Sequence, residues 1–197
     1  MISILDYGAG NLRSVQNTLR EIGADYELVT DADGLRRAPK IILPGVGHFG
    51  QMMRALDEMG VREALKERIR AGVPFLGICL GLQALFASSE EAPEERGLEV
   101  YQGLVKKFSG NARIPHMGWN QLETRRESRL LRGGGEKPYV YFAHSYYVPP
   151  VSETAAVCVY TVPYTAVLEH GHIFGVQFHP EKSGGVGLRI MRNFAGS

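Results

Sequence analysis

The first half of the chain alternates short apolar runs with longer stretches whose apolar side chains recur at helical spacing. The apolar runs predict strands over residues 2–7, 25–30, 40–43 and 73–78, and the periodic stretches predict helices over 11–22, 49–59 and 61–71. The nearly continuous apolar character of these strands is typical of strands that are buried on both faces. Strands that alternate with helices in this way predict a parallel sheet with helices packed against it.

The second half is richer in strand signals and is punctuated by glycine and proline. Apolar and β-branched segments predict strands over residues 98–108, 139–148, 155–161, 166–169 and 172–178, and a closing helix is predicted over 187–194. No repeat, linker or low-complexity stretch divides the chain, so we expect a single domain over residues 1–197. The two halves together predict an α/β fold with an open, mixed, largely parallel sheet flanked by helices.

Composition and charge narrow the classes of function. Hydrophobic residues make up 44% of the chain and charged residues 22%, which are ordinary values for a globular protein. The 22 basic and 21 acidic side chains leave a net charge of +1, so overall charge signals neither a nucleic acid nor an anionic membrane as a partner. The first residues lack the basic segment of a signal peptide, and no apolar run is long enough to span a bilayer. We therefore expect a cytoplasmic protein.

The segment from Gly77 to Gly81 places Cys79 between two glycines, where the fourth predicted strand gives way to a helical pattern over residues 80–86. Glycines at these positions allow close packing through a strained turn, and a helix N-terminus favours a thiolate. This is the pattern of a nucleophile elbow with sulfur in place of oxygen. An inert core cysteine is the alternative, and it is the interpretation we adopt for Cys158. Both cysteines lie in apolar segments, which favours free thiols over a disulfide.

A base and an orienting carboxylate for such a nucleophile occur together near the C-terminus. The predicted strand that ends at Phe178 is followed by His179, Pro180 and Glu181. In extended backbone His179 and Glu181 share one face, and Pro180 ends the pairing of the strand. The pair suits a triad in which His179 takes the proton of Cys79 while Glu181 holds the ring tautomer. A surface histidine beside a solvated glutamate is the alternative for this tripeptide alone.

A tetrahedral intermediate at Cys79 needs hydrogen-bond donors for its oxyanion. The N–H of Leu80, directly after the nucleophile, is one candidate by the geometry of an elbow. The turn Pro44-Gly45-Val46-Gly47 follows the third predicted strand, and the N–H groups of Gly45 and Val46 are the second candidate. An ordinary tight turn is the alternative for this stretch.

Two further patterns are weak. Gly8-Ala9-Gly10 follows the first strand like the start of a dinucleotide-binding turn, but Arg13 stands where the third glycine belongs. His170 and His172 could offer two metal ligands, yet no third ligand is near and a hairpin turn explains them. The sequence therefore predicts neither a cofactor nor a metal site.

Three motifs, Gly77-Ile78-Cys79-Leu80-Gly81, Pro44-Gly45-Val46-Gly47 and Phe178-His179-Pro180-Glu181, occur together in this one chain. In combination they resemble the triad, or class I, glutamine amidotransferases, and the resemblance extends over nearly the whole chain. It implies a flavodoxin-like sheet and a Cys-His-Glu triad that hydrolyses the carboxamide of L-glutamine through a cysteinyl thioester. It also implies delivery of the ammonia to a second active site.

Three more stretches resemble one subgroup of that family: residues 6–11, 115–120 and 141–147. In that subgroup the glutaminase is one subunit of a heterodimer, and its partner is a (βα)₈-barrel synthase, or cyclase, subunit of histidine biosynthesis. The resemblance implies such a partner here. It also implies little activity for the chain alone, because the turn around Gly45 and Val46 must be arranged by the partner and its ligand.

The resemblance also implies a binding site for the amino-acid head of glutamine. Gln83, Glu91 and Gly47 would contribute, together with the backbone of Ser145 and Tyr146. This zwitterion needs a carboxylate for its ammonium group and donors for its carboxylate. Because Glu91 lies in an acidic run beside Glu90, the register of the binding carboxylate stays open by one residue.

A second implied set faces the partner or the path of ammonia: Asn11, Met117, Trp119, Asn120 and Lys182. Trp119 and Asn120 would lie where ammonia leaves, and Lys182 would pair with an acid on the partner. Ordinary core packing is the alternative for Trp119.

Three other functions remain open at this point. The elbow could belong to a cysteine hydrolase or peptidase that acts without a partner. The chain could be a regulatory binding subunit that has lost catalysis, although the presence of Cys79, His179 and Glu181 argues against this. It could also be an amidotransferase subunit that serves a different acceptor.

Overall fold

The computed structural model describes residues 1–8, 11–110 and 113–197. Its first half contains β1 (Ile2–Leu5), α1 (Leu12–Glu21), β2 (Tyr26–Val29), α2 (Ala32–Arg37), β3 (Ile41–Gly45), α3 (Phe49–Glu58), α4 (Arg62–Arg70), β4 (Phe75–Cys79) and α5 (Leu80–Gln83). Part of the weak Gly8-Ala9-Gly10 pattern lies outside the described residues. The predicted alternation of strands and helices in this half is confirmed.

The second half consists mainly of strands. They are β5 (Phe86–Ser89), β6 (Tyr101–Lys107), β7 (His116–Gln121), β8 (Glu123–Thr124), β9 (Tyr139–His144), β10 (Tyr146–Tyr147), β11 (Thr154–Tyr160), β12 (Val162–His170) and β13 (Ile173–Val176). A 3₁₀ turn (Pro180–Lys182) and α6 (Gly184–Ala195) follow.

The main sheet has eight strands within the described residues, in the order β2-β1-β3-β4-β13-β12-β11-β8. The strands from β2 to β13 in this order run parallel to their neighbours, while β12, β11 and β8 continue the sheet by antiparallel pairing. The predicted open, mixed, largely parallel sheet is confirmed. Because β13 pairs with β4, residues 173–176 lie directly beside residues 75–78 despite their separation in the chain.

Helices cover both faces of this sheet, as the nearly continuous apolar strands require. In β3, Ile41 and Leu43 pack into one core while Ile42 packs into the other, because successive side chains of a strand point to opposite faces. Helices α3 and α4 contribute to the first core, and α1 and α6 contribute to the second. Each fully buried large apolar side chain stabilises the fold by about 1.5–3 kcal/mol.

The prediction of a continuous helix over residues 80–86 is wrong. Helix α5 has 4 residues, and Phe86 already belongs to β5. The carbonyls that a longer helix would use accept hydrogen bonds from the segment that leads into β6 instead: Leu98 N–H donates to Ala84 O at 2.7 Å and Tyr101 N–H donates to Leu85 O at 3.0 Å. The apolar run is buried on all sides, so its composition does not distinguish the helix from the strand.

A two-stranded antiparallel ribbon of β7 and β9 packs beside the main sheet. Strand β7 was not expected from the sequence, because its inward positions are polar rather than apolar. His116 is buried, whereas its neighbour Met117 is exposed. Within residues 1–8, 11–110 and 113–197, no helix combines the length and the apolar character needed to cross a bilayer.

The C-terminus of α6 depends on a buried lysine. Lys40 Nζ donates hydrogen bonds to the carbonyls of Phe194, Ala195 and Ser197 at 2.7–2.8 Å. We expect Lys40→Met to lower the free energy of unfolding by about 1–3 kcal/mol, because these carbonyls lose a charged donor. Urea unfolding measures this change, with Lys137→Met in an exposed loop as the control. Equal stabilities of the two variants would contradict the prediction.

Candidate active site

Cys79 is the last residue of β4 and directly precedes α5. Its backbone adopts φ 55° and ψ −106°, a left-handed conformation that side chains with a Cβ rarely adopt. A Cβ on Gly81 would collide with the carbonyl oxygen of Leu43, and a Cβ on Gly77 would collide with the backbone of Gly81. The two glycines are therefore required for the tight approach of β3, β4 and α5, and the turn has the geometry of a nucleophile elbow.

His179 and Glu181 form a buried pair beside this turn. His179 Nδ1 lies 2.8 Å from Glu181 Oε1, and the two side chains are 3% and 1% exposed. The prediction that they share a face of extended backbone is wrong. Strand β13 ends at Val176, and Pro180 starts the 3₁₀ turn that brings the carboxylate back toward the ring. Proline suits the first position of such a turn because its φ is fixed near the helical value.

The environment of His179 favours its protonated form. Burial alone would lower the pKa of the imidazole, but its interactions with Cys79 and Glu181 outweigh burial and raise the pKa to about 10. Since Nδ1 is occupied by Glu181, Nε2 is the nitrogen that is left for the thiol. A protonated ring beside a thiol stabilises the thiolate.

Asn11 orients the carboxylate of this pair. Its Nδ2 donates to Glu181 Oε1 at 3.0 Å, and its Oδ1 accepts from Ser14 Oγ at 2.6 Å. Sequence reasoning placed Asn11 on the partner side and missed this contact, because the two residues are far apart in the chain. The role of Asn11 toward a partner stays a prediction.

A cavity of about 190 Å³ opens in front of Cys79. It is lined by Val46, Gly47, Cys79, Leu80, Gln83, Glu91, Pro115, Met117, Ala143, His144, Ser145 and Tyr146. The structure thus brings together most of the site residues predicted from the sequence, although they come from distant segments. His144 also lines the cavity and was not singled out by the sequence.

The turn after β3 forms one wall of this cavity. A Cβ on Gly45 would lie 2.7 Å from Leu80 Cβ and 2.8 Å from Gly81 N, so only glycine fits beside the elbow. Gly47 adopts φ 100°, and Val46 between these two glycines is 37% exposed. Gly45 is the last residue of β3 and pairs with Cys79, so the conformational freedom of the turn comes from Gly47. Leu80 N–H lies at the start of α5 on the adjacent wall.

Two buried glutamines lie behind the thiol. Gln83 Nε2 donates to Tyr146 O at 2.9 Å and to Gln177 Oε1 at 3.1 Å, and Gln177 Nε2 donates to Cys79 Sγ at 3.6 Å. The sequence predicted Gln83 as a site residue but missed Gln177. The signal for Gln177 was its place in a buried strand segment, where a polar side chain needs a partner.

Glu91 reaches the cavity, whereas Glu90 points elsewhere. Glu91 Oε2 accepts from Phe49 N–H at 2.8 Å, at the N-terminus of α3, and Glu90 Oε2 accepts from Lys107 N–H at 2.7 Å. The sequence left open which of these two glutamates faces the site. In the structure, Glu91 lines the cavity together with Gln83 and Tyr146.

The outer face of the β7–β9 ribbon is apolar and exposed. Met117 is 64% exposed and Trp119 is 56% exposed, so core packing does not explain Trp119. Lys182 is exposed nearby, with Nζ 5.8 Å from the centroid of the Tyr141 ring. Asn120 is half-buried, and its Nδ2 donates to Val159 O at 3.2 Å.

A second cavity of about 230 Å³ adjoins the first and shares Pro115 and Met117 with it.

His170 ends β12 in the hairpin that precedes β13, as the hairpin interpretation predicted. In the part of the chain that the structure describes, no group of three or more His, Cys, Asp or Glu side chains could hold a metal ion.

The sequence profile of the family "Glutamine amidotransferase class-I" matches residues 3–196. The chain belongs to the class I glutamine amidotransferase family. Among curated members, it is 48% identical to "Imidazole glycerol phosphate synthase subunit HisH" of Methanothermobacter thermautotrophicus, with 98% of this chain and 97% of the relative covered. The proteins of the same name from Deinococcus radiodurans and Geobacillus kaustophilus are 46% identical, with 98% and 100% of this chain and 92% and 96% of the relatives covered.

Several solved structures share this fold. The "Crystal structure of glutamine amidotransferase" has a TM-score of 0.78 at 21% identity and covers 100% of this chain and 99% of its own. The "Structure of PurLQS from Thermotoga maritima" has a TM-score of 0.77 at 20% identity, with coverage of 99% and 97%. At these identities the likeness supports the fold alone.

The two thiols of this amidotransferase should differ in reactivity. Cys79 lines the cavity beside His179, whereas burial raises the pKa of Cys158 to about 11. We expect iodoacetamide to alkylate Cys79 at least about tenfold faster than Cys158 in the folded chain. Timed labelling followed by peptide mass mapping measures both rates, and labelling of Cys158 at an equal rate would contradict the prediction.

Proposed function

We propose that this protein is the glutaminase subunit of an imidazole glycerol phosphate synthase, formed by a single glutamine amidotransferase domain. The observation that carries the proposal is that Cys79 lines the cavity and interacts with the buried pair of His179 and Glu181. It occurs in a chain that is 46–48% identical to proteins of that name over nearly its full length. The reaction is hydrolysis of L-glutamine to glutamate and ammonia.

In the first half of the reaction, the Cys79 thiolate attacks the carboxamide carbon of glutamine. A C–S bond forms, and the carbonyl electron pair moves onto oxygen. His179, protonated at the start, gives its Nε2 proton to the amide nitrogen. The C–N bond then breaks, ammonia leaves, and a thioester remains on Cys79.

In the second half, water attacks the thioester carbon and gives a proton to His179. The C–S bond breaks, glutamate leaves, and the thiolate and the imidazolium are both restored. Glu181 holds Nδ1 throughout, so that Nε2 faces the reacting atoms. Asn11 holds Glu181 through its Nδ2 and therefore acts as a positioning residue.

The oxyanion of both tetrahedral intermediates needs two donors. Leu80 N–H is the first, because it directly follows the nucleophile at the start of α5. The N–H groups of Gly45 and Val46 supply the second, because their turn forms the adjacent wall of the cavity. Since Gly47 follows Val46, a partner can reorient this turn at low cost in backbone energy.

The amino-acid head of glutamine binds at the other end of the cavity. Glu91 pairs with the ammonium group, and Gln83, Gly47 and the backbone of Ser145 and Tyr146 complete the site. The Glu91 carboxylate is already held by the first turn of α3. A preordered carboxylate loses less conformational freedom when the substrate binds.

The partner that we propose is a (βα)₈-barrel synthase, or cyclase, subunit in a heterodimer. It would use the ammonia to form imidazole glycerol phosphate and an aminoimidazole carboxamide ribotide in histidine biosynthesis. The exposed Met117 and Trp119 give an apolar contact surface, and Lys182 offers a cation at its edge. Met117 borders both cavities, so ammonia would leave through this region. Such a protein works in the cytoplasm.

The nucleophile is tested by Cys79→Ala in the complex with the barrel subunit. We expect glutamate release to fall at least about a thousandfold, because no thioester can form. The matched control is Cys158→Ala, which removes the other buried thiol and should keep activity near the wild-type value. Residual glutaminase activity in Cys79→Ala would rule out the mechanism. Glutamate release that is the same with and without the barrel subunit would favour a hydrolase that acts alone.

The role of Glu181 is tested by the pH dependence of kcat/KM. The interactions with Cys79 and Glu181 raise the pKa of His179 to about 10, and activity requires the protonated ring. Glu181→Gln removes one of the negative charges, so the pKa of His179 falls and the alkaline limb of the profile moves to lower pH. We also expect a fall in rate of at least about tenfold.

The control for this profile is Glu94→Gln in the exposed acidic loop, which should keep the wild-type profile. If the alkaline limb of Glu181→Gln lay at the same pH as that of the wild-type protein, Glu181 would not stabilise the charge on His179.

A further inference from the structure

Behind the wall of the cavity lie two buried histidines and a tyrosine that the proposed chemistry does not use. His116 and His144 are 4% and 6% exposed, and Tyr164 is fully buried. The two histidines are a cross-strand pair of β7 and β9, with ring centroids 5.4 Å apart. His144 also lines the cavity itself.

The hydrogen bonds of His144 fix its tautomer. Its Nδ1 lies 2.8 Å from Tyr146 O, and a carbonyl oxygen can only accept a hydrogen bond, so Nδ1 carries the proton. In a neutral ring Nε2 is then an acceptor. The atom that faces Nε2 is the Tyr164 hydroxyl at 3.4 Å, which therefore donates to His144.

The same logic extends to His116. The Tyr164 hydroxyl has one proton and donates it to His144. Its oxygen therefore accepts a hydrogen bond from His116 Nδ1 at 3.2 Å. His116 Nε2 is then an acceptor, and the Asn120 amide donates to it at 3.4 Å. This arrangement of protons, the proton order of the network, gives every polar group from Asn120 to Tyr146 a hydrogen-bond partner. Both rings are then in the Nδ1–H tautomer.

Both rings are neutral at physiological pH, as this order requires. Burial lowers the pKa of His116 to about 4, and burial lowers the pKa of His144 to about 3. No carboxylate contacts either ring among the hydrogen bonds of the described residues.

The last acceptor of this network belongs to the candidate active site. Tyr146 O accepts from His144 Nδ1 and also from Gln83 Nε2 at 2.9 Å. The second proton of Gln83 Nε2 goes to Gln177, whose own amide donates to Cys79 Sγ. The position of Tyr146 O therefore decides where the Gln83 amide lies in the cavity.

We propose that His144 is a positioning residue for the binding of the glutamine head, held as the Nδ1–H tautomer by the Tyr146 carbonyl and oriented by the Tyr164 hydroxyl at Nε2. The identity of the substrate, glutamine, rests on the proposed function, whereas the tautomer of His144 does not. Its effect passes through the Tyr146 carbonyl and Gln83, so it should act on KM for glutamine more than on kcat.

The tautomer is measured by ¹⁵N–¹H correlation spectra of the full chain labelled at histidine, with the His144 signals identified from their absence in His144→Asn. We expect proton-bearing Nδ1 and bare Nε2 in His144 and in His116. In Tyr164→Phe, which keeps the ring and removes only the hydroxyl, we expect the proton to stay on Nδ1, because Tyr146 O still accepts it, and we expect the Nε2 resonance to shift, because Nε2 loses its donor. A wild-type His144 with the proton on Nε2 would overturn the proposal.

Two His144 variants then separate positioning from packing, with glutaminase activity measured in the complex with the barrel subunit. The side-chain nitrogen of asparagine occupies the place of Nδ1, whereas that of glutamine occupies the place of Nε2. We expect KM for glutamine to rise about tenfold in His144→Gln and to stay within about threefold of the wild-type value in His144→Asn, with smaller changes in kcat. Equal KM values in the two variants would overturn the proposal.

Tyr147→Phe is the matched control for Tyr164→Phe. Tyr147 stacks on Phe108 beside the network, and its hydroxyl is not a member of the proton order. We expect an unchanged Nε2 resonance of His144 in this control, and the same shift there as in Tyr164→Phe would count against the proposed order. If the wild-type complex did not hydrolyse glutamine, the proposed function would be overturned, but the tautomer measurement would remain valid.

Discussion

The left-handed backbone of Cys79 is the constraint on which the rest of the site depends. A residue with a Cβ held at φ 55° costs about 1–3 kcal/mol, so the surrounding structure must over-determine it. Gly77 and Gly81 do so by allowing α5 to lie against Leu43 with no space for a side chain between them. The result is a thiol at the carboxyl edge of the sheet, directly followed by an amide at the start of a helix.

The sheet order then determines what can reach this thiol. In open α/β sheets, ligands bind at the carboxyl ends of the parallel strands. Strand β4 lies between β3 and β13, so its carboxyl end is flanked by the turn at Gly45 on one side and by the segment that leads to His179 on the other. The 3₁₀ turn after β13 folds Glu181 back onto the ring, and Asn11, just after β1, closes the group from a third segment.

The sequence was sufficient for features that are local in the chain. The elbow is encoded within five residues. Strands β1, β3 and β4 are buried along their whole length, so each is encoded by a nearly continuous apolar run. Features that depend on contacts between distant segments were missed. Asn11 meets Glu181 across 170 positions, and Gln177 meets Cys79 across 98 positions, so neither contact leaves a local pattern.

The shortness of α5 and the existence of β7 have different physical explanations. The run from Leu80 to Phe86 is buried on all sides, so apolar periodicity cannot locate the change from helix to strand. In β7 the usual pattern is inverted, because His116 faces the interior while Met117 and Trp119 face outward. A strand with a polar inner face and an apolar outer face does not match the pattern of an ordinary half-buried strand.

This inversion also fixes the register of the ribbon. A slip of one residue in β7 would turn Met117 inward and His116 outward, and it would leave Tyr164 without its donor. Buried polar groups without partners are costly, so the network penalises every register but one. Because the outer face carries Met117 and Trp119, an apolar inner face would lose less in such a slip, since one set of apolar side chains would replace another. The polar interior of the ribbon thus holds both of its faces in place: the inner face that meets the cavity and the apolar outer face that is left for a partner.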